Sequence, residues 1–308
     1  MDIEQVRVEL LSLLEIDQVR ENEDMSFHTT FRTGGYADFF LLPEVWQIPP
    51  LISMLKKLHV PYYFKGNGSN LLVSDKGYRG AIIELGQRAG EIEAMVAGRY
   101  GTIRAQAGAK LASVAAKAAS LGLKGMEFAS GIPGTIGGAV VMNAGAYESE
   151  MKDILDYALI MDHLGKVNMM NPNQLKLSYR HSIVPDLNYV VLGAKITLEV
   201  GNPDEIKRRT DEFKKLRFQK QPLEYPSAGS TFKRPQGYYA AKLIEDANLK
   251  GLSYGGAQVS TKHAGFIINK DEATSQDIYN LIKVVYQKVY NDFGVKLEPE
   301  VKFLGDFN

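Results

Sequence analysis

Residues 131–147, GIPGTIGGAVVMNAGAY, are dense in glycine without being of low complexity. A second glycine turn, GNGSN at residues 66–70, lies between the extended run VPYYF and the apolar run LLV. Glycine lets backbone N–H groups approach a phosphate closely, and such loops bind pyrophosphate without a cationic side chain. Either loop alone is more simply interpreted as a tight turn between strands. The presence of both favours a site for a phosphate-containing ligand.

Motifs of several other enzyme classes are absent from the sequence. GNGSN lacks the third glycine of the dinucleotide fingerprint, so it is weak support for a Rossmann fold. No HExxH, Walker A or GxSxG motif occurs, and the five histidines are too scattered for metal-ligand spacing. The lack of cysteine excludes disulfides, thiolate catalysis and Cys-ligated metals. We therefore expect no metal site.

The composition is that of a soluble globular protein with two or three domains. The chain has 308 residues with 36 basic and 36 acidic side chains, so its formal net charge is zero. This balance argues against nucleic acid or a membrane surface as a partner, and the basic residues within 205–220 indicate a solvated helix face. The N-terminus resembles no secretory signal, and no uncharged run is long enough for a membrane helix. We expect a cytoplasmic protein, with a monomer as the working hypothesis.

Hydrophobic periodicity predicts an α+β protein. Apolar residues at helical spacing predict a helix over 2–15, and the alanine-rich run KLASVAAKAASLG predicts one over 110–122. Asn202 before a proline predicts another helix start, and Thr274 with Asp277 forms the capping-box pattern of a last helix. The runs LDYALIMD, YVVLGAKITLEV and VKLEPEVKFLG predict strands.

Several motifs, in one order along the chain, resemble those of a known family. They are FRTGGYADF (31–39), GNGSNLLV (66–73), GIPGTIGGAVVMNAGAY (131–147), LSYRHS (177–182), KQPLEYPSAGSTFKRP (220–235), STKHAGFIIN (260–269) and LEPEV (297–301). The set resembles the UDP-N-acetylenolpyruvylglucosamine reductases of bacterial cell-wall synthesis and covers residues 28–305. The stretch between Arg180 and Ser230 is short. In this respect the sequence resembles the subgroup of the family that lacks a substrate-covering insertion.

This resemblance implies both a fold and a reaction. The fold is α+β, with a two-subdomain FAD-binding module of the vanillyl-alcohol-oxidase (PCMH) type and a C-terminal α+β substrate domain. We expect a small FAD-binding subdomain with an N-terminal helix at 1–75, a second FAD-binding subdomain at 76–204, and the substrate domain at 205–308. In the implied reaction, NADPH reduces FAD, which then reduces UDP-N-acetylglucosamine enolpyruvate to UDP-N-acetylmuramate, a peptidoglycan precursor.

The resemblance also implies three catalytic residues. Ser230 matches the family's proton donor, while Arg180 and Glu300 match residues that stabilise the intermediate. A carbanion beside a carboxylate is basic enough to take a proton from an alcohol, so Ser230 needs no histidine partner. Glu300 would have to work protonated or share a hydrogen bond with the intermediate, which requires a pKa raised by partial burial.

Further positions match the family's ligand contacts. Tyr179 and Lys220 match contacts to substrate or nicotinamide cofactor, whereas Lys262, Gln258 and Asn269 lie in substrate-domain motifs without an assigned role. A covalent flavin link is not expected, because the FAD loops contain no Cys or His. The expected FAD-binding residues are Arg32, Thr33, Gly34, Gly35, Lys65, Gly66, Asn67, Gly68, Ser69, Asn70, Ser130, Gly131, Ile132, Pro133, Gly134, Thr135, Gly137, Gly138, Asn143, Gly145 and Ala146.

Two alternatives and one departure from the family pattern accompany this interpretation. The chain could be a flavin-dependent oxidase of the same wider fold that acts on an alcohol or sugar. It could also be a binding module that has lost catalysis, although it keeps all three catalytic positions. Where family members often carry two glycines after NAGAY, this chain has Glu148 and Ser149, so we expect a less tight turn there.

Overall fold

The structure is a computed structural model that describes residues 2–307. Its α-helices are α1 (Ile3–Leu13), α2 (Ile48–Lys57), α3 (Leu111–Ser120), α4 (Ile136–Val141), α5 (Pro203–Lys220), α6 (Ala240–Asp246) and α7 (Ser275–Phe293). Across the described residues, none of these helices is both long enough and apolar enough to cross a membrane.

Two helix starts follow the predicted capping signals. The Asn202 side-chain oxygen accepts a hydrogen bond from the Asp204 N–H at 2.9 Å at the start of α5. At the start of α7, Thr274 and Asp277 form a reciprocal capping box. Gly294, with φ 67°, ends α7 in the left-handed conformation that glycine adopts without strain.

The strands form several small sheets and one larger antiparallel sheet. The larger sheet has the order β12-β11-β13-β7-β6, and β1, β2, β5 and β3 form a four-stranded sheet in that order. The strands are β1 (Val19–Asp24), β2 (Tyr36–Leu41), β3 (Tyr62–Lys65), β4 (Leu71–Val73), β5 (Tyr78–Glu84), β6 (Ile92–Ala97), β7 (Tyr100–Gln106), β8 (Leu123–Lys124), β9 (Gly145–Ala146), β10 (Ser149–Glu150), β11 (Leu155–Met161), β12 (Val167–Met170), β13 (Val190–Val200), β14 (Ser253–Tyr254), β15 (Ala257–Val259), β16 (Ile267–Asn269) and β17 (Lys302–Leu304).

The chain divides into two compact units, each discontinuous in sequence. The first unit comprises Met1–Glu21, Phe39–Asn67 and Gly80–Leu216. Its core includes one face of α3, with Leu111, Val114 and Ala118 buried against the inner residues of the larger sheet. Mixed helix and strand content confirms the predicted α+β class, while the three-part division at 1–75, 76–204 and 205–308 stays a prediction.

The second unit comprises Asn22–Asp38, Gly68–Arg79 and Arg217–Asn308. Its core is built on α7, whose buried face is the apolar face that the sequence periodicity predicts: Ile278, Leu281, Ile282, Val285 and Val289. Strands β14, β15 and β16 form an antiparallel sheet in this unit, and β17 pairs in parallel with β4.

The predicted C-terminal strand is much shorter than its sequence pattern suggests. Only Lys302–Leu304 of the run VKLEPEVKFLG is a strand, paired with Leu71–Val73. Pro299 lies within the remainder, where it has no N–H to donate to a strand ladder. Among the described residues, Pro299 forms only an isolated antiparallel bridge, with Phe232.

Candidate active site

The first glycine turn begins where strand β3 ends at Lys65. A Cβ at the next residue, Gly66, would lie 2.3 Å from the Thr135 hydroxyl oxygen, so only glycine fits. Thr135 belongs to the second glycine-rich stretch, and the two predicted FAD loops therefore meet here in the first unit. Lys65 is buried and paired with Glu84. Burial lowers the pKa of the Lys65 ammonium, and the Glu84 carboxylate opposes that shift.

The second glycine-rich stretch is fixed at the start of helix α4. Thr135 is the N-cap residue, and its hydroxyl accepts a hydrogen bond from the Gly138 N–H at 3.5 Å. The Gly137 N–H donates to the Ala107 carbonyl at 2.8 Å, and a Cβ on Gly137 would lie 3.0 Å from the Ala107 Cβ. These contacts anchor the end of the loop that begins with residues 130–134.

The second half of GNGSN lies in the second unit. Gly68 has φ 64°, and a Cβ there would lie 2.1 Å from the His28 carbonyl oxygen. The Asn70 amide donates to the Glu300 carbonyl at 3.0 Å, and the Lys302 N–H donates to the Asn70 carbonyl at 3.0 Å. The end of the predicted FAD turn is therefore directly beside the predicted catalytic Glu300.

The chemistry of these loops fits FAD. At Gly66 and Gly68 a Cβ would lie 2.3 Å and 2.1 Å from protein atoms, so both positions take glycine, and a glycine-rich loop can present backbone N–H groups to a pyrophosphate. Asn67 and Ser69 add polar side chains with hydrogen-bond donors. Residues 2–307 contain no group of three or more His, Cys, Asp or Glu side chains that could hold a metal ion.

Residues 32–35, predicted to lie at the edge of the flavin cleft, differ in what they contact. Thr33 is buried, and its hydroxyl oxygen accepts a hydrogen bond from Ser275 Oγ at 2.8 Å. Gly34 has φ 131°, and a Cβ on Gly35 would lie 2.1 Å from a backbone carbonyl oxygen. Arg32, with φ 56°, instead lines a cavity. Packing thus accounts for Thr33, Gly34 and Gly35, whose contact with a cofactor stays a prediction.

The cavity lies in the second unit and has a volume of about 400 Å³. Lys270 Nζ donates to the Tyr225 hydroxyl at 2.6 Å and lies 4.3 Å from the centroid of its ring. This hydrogen bond raises the pKa of Lys270. Two cations, Arg32 and Lys270, therefore border one cavity. No local sequence pattern indicates the Lys270–Tyr225 pair. The lining residues are Arg32, Tyr225, Pro226, Asn269, Lys270, Glu272 and Ala273.

Ser230 is exposed on a segment that backbone hydrogen bonds hold in place. Gly229, immediately before it, has φ 75° and provides the left-handed turn. The N–H of buried Thr231 donates to the Gly265 carbonyl at 2.8 Å, and the Glu300 N–H donates to the Thr231 carbonyl at 2.8 Å. The structure therefore brings the Ser230 and Glu300 segments side by side in the second unit.

Arg180 lies in the first unit on a strained turn. Its φ is 52°, a left-handed conformation that is uncommon for residues other than glycine. The guanidinium Nη2 donates to the Gly145 carbonyl at 3.0 Å and lies 5.1 Å from the Tyr179 ring centroid, measured from Cζ. The buried Asn143 amide donates to the Ser178 carbonyl at 3.1 Å. Arg180, Tyr179, Asn143 and Gly145 therefore form one cluster.

The hairpin after this cluster keeps a tight turn. Ala146 pairs with Ser149, which leaves the two-residue turn Tyr147-Glu148. Both turn residues have positive φ, 52° and 65°, as in a type I′ turn that usually contains glycine. The expected loosening of the turn is therefore wrong. Tyr147 is held by stacking on Phe213, with ring centroids 4.2 Å apart, and by a 3.1 Å hydrogen bond to the Phe213 carbonyl.

The predicted contact residue Lys220 and the three motif residues without an assigned role lie in the second unit. Lys220, the last residue of α5, is exposed. Lys262 Nζ donates to the Phe218 carbonyl at 2.9 Å, and the Gln258 amide donates to a serine hydroxyl at 3.0 Å. The Asn269 amide donates to a backbone carbonyl at 3.0 Å and its oxygen accepts a backbone N–H at 2.8 Å, so this side chain supports the fold.

Two side chains that anchor the site, those of Ser182 and Glu84, have no signal in the local sequence. Ser182 is buried and its hydroxyl donates to the Val141 carbonyl at 2.7 Å, which joins the Arg180 segment to helix α4. Glu84 is the partner of Lys65. A serine after a histidine and a glutamate at a strand end give no local signal of these partners, because both contacts join distant parts of the chain.

Comparisons with known proteins agree with these observations. Residues 221–304 match the family model described as UDP-N-acetylenolpyruvoylglucosamine reductase, C-terminal domain, and residues 44–170 match the model described as FAD binding domain. The reductase of that name from Agathobacter rectalis is 53% identical over 295 residues, covering 93% of this chain and 94% of the relative. The reductase from Caldanaerobacter subterraneus subsp. tengcongensis is 48% identical, covering 96% and 97% of the two chains.

A solved structure supports the same assignment. The crystal structure of the UDP-N-acetylenolpyruvylglucosamine reductase (MurB) from Thermus caldophilus matches with a TM-score of 0.78 and 32% identity, covering 93% of this chain and 98% of that chain. The predicted α+β fold with an FAD-binding module is thus confirmed, and FAD is the cofactor. The protein is an oxidoreductase of peptidoglycan precursor synthesis, and the chain belongs to the UDP-N-acetylenolpyruvoylglucosamine reductase family.

Proposed function

We propose that the chain reduces UDP-N-acetylglucosamine enolpyruvate to UDP-N-acetylmuramate with NADPH as the reductant, in the cytoplasm. Bound FAD, held without a covalent link, supplies the hydride-transfer chemistry. Ser230, Arg180 and Glu300 would be the catalytic residues, and Tyr179 and Lys220 would contact the substrate or NADPH. The observation that most supports this assignment is that the Ser230 and Glu300 segments, far apart in sequence, are joined by the Glu300 N–H to Thr231 carbonyl hydrogen bond.

Ser230 would protonate the carbon that becomes negatively charged beside the carboxylate. An alcohol is a poor acid toward water or an amine, but a carbanion of this kind is basic enough to take its proton. Ser230 is exposed, and the segment that carries it is fixed at Thr231 rather than at the serine itself. This arrangement suits a residue that must present its hydroxyl to a ligand.

Arg180 would stabilise the negative charge that develops on the substrate carboxylate. A guanidinium has several N–H donors in a fixed plane and pairs well with a carboxylate. The hydrogen bond to the Gly145 carbonyl orients that plane, and the ring of Tyr179 lies beside it. A left-handed, non-glycine backbone at Arg180 is the kind of strain that functional sites often contain.

Glu300 would share a proton or a hydrogen bond with the intermediate. An ionised carboxylate would repel a developing dianion, so this role requires a raised pKa from partial burial. The Glu300 side chain is half-buried, and both its backbone N–H and its carbonyl are engaged. These contacts would hold the carboxyl group in a fixed position relative to Ser230.

An anaerobic flavin titration tests the proposed function. The wild-type protein should be yellow, lose its absorbance near the flavin maximum with NADPH, and regain it when the enolpyruvyl substrate is added. Bleaching by an alcohol or sugar in place of NADPH, followed by recovery when O₂ is admitted rather than when the enolpyruvyl substrate is added, would instead support the oxidase alternative. A protein that binds FAD but is bleached by no nicotinamide cofactor would contradict the proposal.

A further inference from the structure

Lys262, in the motif STKHAGFIIN, contacts the last turn of helix α5. Its Nζ donates a hydrogen bond to the Phe218 carbonyl at 2.9 Å and lies 5.5 Å from the centroid of the Phe218 ring. The Lys262 N–H donates to the buried Ser260 hydroxyl at 3.1 Å, so the turn that carries the lysine is itself anchored. All three residues belong to the second unit, and the contact therefore lies within one compact body.

The Phe218 carbonyl needs a hydrogen-bond donor from outside the helix. Inside a continuing helix this carbonyl would accept from the N–H four residues further on, but that residue is Pro222, which has no N–H. The last carbonyls of a helix lack intrahelical donors, and a cationic side chain beside them also interacts favourably with the helix dipole. The Lys262 ammonium therefore caps the C-terminus of α5.

The same ammonium also contacts the chain on the other side of Lys220. Lys262 Nζ lies 3.5 Å from Glu224 Oε2, and Glu224 follows Lys220 in the sequence, whereas Phe218 precedes it. Residues 218–220 are exposed, so burial contributes little to fixing this turn. One side chain thus restrains both ends of the segment that carries Lys220.

We propose that Lys262 is a positioning residue, which holds the last turn of α5 so that the Lys220 ammonium meets the pyrophosphate of the substrate or of NADPH. A lysine binds such an anion as a point charge at the end of a flexible side chain. Restraint of the backbone before binding reduces the entropy that is lost when the ligand orders this segment. The inference rests on the proposed contact of Lys220 with one of these ligands.

The concentration dependence of the two half-reactions tests this role in the FAD-containing protein. In anaerobic stopped-flow absorbance, bleaching gives the apparent Kd of NADPH, and reoxidation gives that of the enolpyruvyl substrate. Lys220→Met should raise at least one of these constants, which identifies the ligand that Lys220 contacts. Lys262→Met should raise the same constant by about 3- to 10-fold, the scale of a partly exposed charge contact, while both saturating rates stay near those of wild type.

The double variant Lys220→Met/Lys262→Met separates positioning from direct binding. If Lys262 acts through Lys220, its loss adds nothing once Lys220 is gone, and the double variant should bind like Lys220→Met. Lys262→Arg keeps a cationic donor and should recover most of the affinity that Lys262→Met loses. Effects that multiply in the double variant would mean that Lys262 contacts the ligand itself and would overturn the proposal. An unchanged Kd in Lys262→Met would also overturn it.

Lys288→Met is the matched control for the loss of a positive charge. Lys288 Nζ pairs with Asp292 at 2.8 Å on helix α7, so the same charge is removed from the second unit at a different helix. Both dissociation constants should match those of wild type. If Lys288→Met weakened binding as much as Lys262→Met does, general electrostatic attraction would replace positioning as the explanation.

Hydrogen–deuterium exchange tests the anchor without any ligand of the reaction. The backbone amides at the end of α5 should exchange faster in Lys262→Met than in Lys288→Met, and equal exchange would contradict the capping role. Failure of the proposed function is distinguishable, because it appears as a wild-type protein that NADPH does not bleach. A wild type that completes both half-reactions, with neither constant changed in Lys220→Met, would overturn the roles of Lys220 and Lys262 and leave the reaction standing.

Discussion

The Arg180 cluster of the first unit and the Ser230–Glu300 pair of the second are held by different means. Around Arg180, side chains bond to backbone carbonyls, and the left-handed residues Asn143 and Arg180 are not glycines. Around Ser230 and Glu300, backbone hydrogen bonds join the two segments, side-chain bonds from Asn70 and to Thr231 add to them, and a glycine, Gly229, takes the left-handed position. The first region should therefore be sensitive to side-chain changes, and the second chiefly to changes of the backbone.

Replacement of Arg180 should have the largest effect in this comparison. Arg180→Met should lower the rate of flavin reoxidation by the enolpyruvyl substrate by roughly 10²–10³-fold, the usual cost of losing one charge-stabilising group. Bleaching by NADPH should stay within a few-fold of wild type. Anaerobic stopped-flow absorbance measures both rates. Reoxidation at the wild-type rate would remove Arg180 from the catalytic residues.

Asn143 should carry much of the stability of the same cluster. Asn143→Ala removes the amide that pairs with the Ser178 carbonyl and the oxygen that accepts the Lys152 N–H at 2.9 Å, and puts alanine at φ 41°. We expect a loss of about 2–4 kcal/mol in the free energy of unfolding, measured by urea titration. Asn143→Gly removes the same side chain, but glycine adopts a positive φ without strain. The difference in unfolding free energy between Asn143→Ala and Asn143→Gly therefore measures the backbone strain of alanine at this position. Equal stability of Asn143→Ala and wild type would contradict the side-chain account of this region.

In the second region, Gly229→Ala should have a moderate effect. No atom lies within 4 Å of the added Cβ, so the cost comes only from the left-handed backbone at φ 75°. We expect about 1–2 kcal/mol of lost stability. Because the strain can be relieved by moving the segment, we also expect slower flavin reoxidation at unchanged NADPH bleaching. A stability loss above about 4 kcal/mol would mean that side-chain packing, rather than conformation, dominates here.

The smallest effect should come from relaxing the hairpin beside Arg180. Glu148→Gly places glycine at φ 65°, the conformation that type I′ turns favour for it. We expect a gain of roughly 0.5 kcal/mol, since the strain relieved slightly exceeds the extra flexibility of glycine in the unfolded chain. Thermal melts of the wild type, Glu148→Gly and Ser149→Gly measure this gain in stability. Ser149→Gly is the control, because Ser149 is a paired strand residue outside the turn. Destabilisation by Glu148→Gly would show that the glutamate side chain stabilises the turn.

Local signals made parts of the fold predictable. The caps at Asn202 and Thr274, and the apolar face of α7, depend on neighbouring residues, and all were predicted from the sequence. The strand at the C-terminus was overestimated, because Pro299 interrupts a pattern that otherwise alternates as a strand does. The discontinuous units were not predicted, since the pairing of β17 with β4 joins Lys302–Leu304 to Leu71–Val73, which are far apart in the sequence.

The candidate site was also predictable only in part, because several of its contacts join residues that are distant in the sequence. The glycine-rich loops that contain Gly66, Gly68 and Gly137 were predicted from their glycine content. Arg180, Ser230 and Glu300 were predicted only from the motifs that resemble the family. The left-handed backbone of Arg180, the partner of Lys65 and the bond from Lys262 to the Phe218 carbonyl depend on contacts between distant segments. A sequence pattern contains no signal for such contacts.

The central claim, that Ser230 is the proton donor, is tested most directly by the two half-reactions of Ser230→Ala. Under anaerobic stopped-flow conditions, bleaching by NADPH should match wild type, while reoxidation by the enolpyruvyl substrate should slow by roughly 10²–10⁴-fold, as expected for loss of a general acid. Equal slowing of both half-reactions, or of neither, would contradict the account.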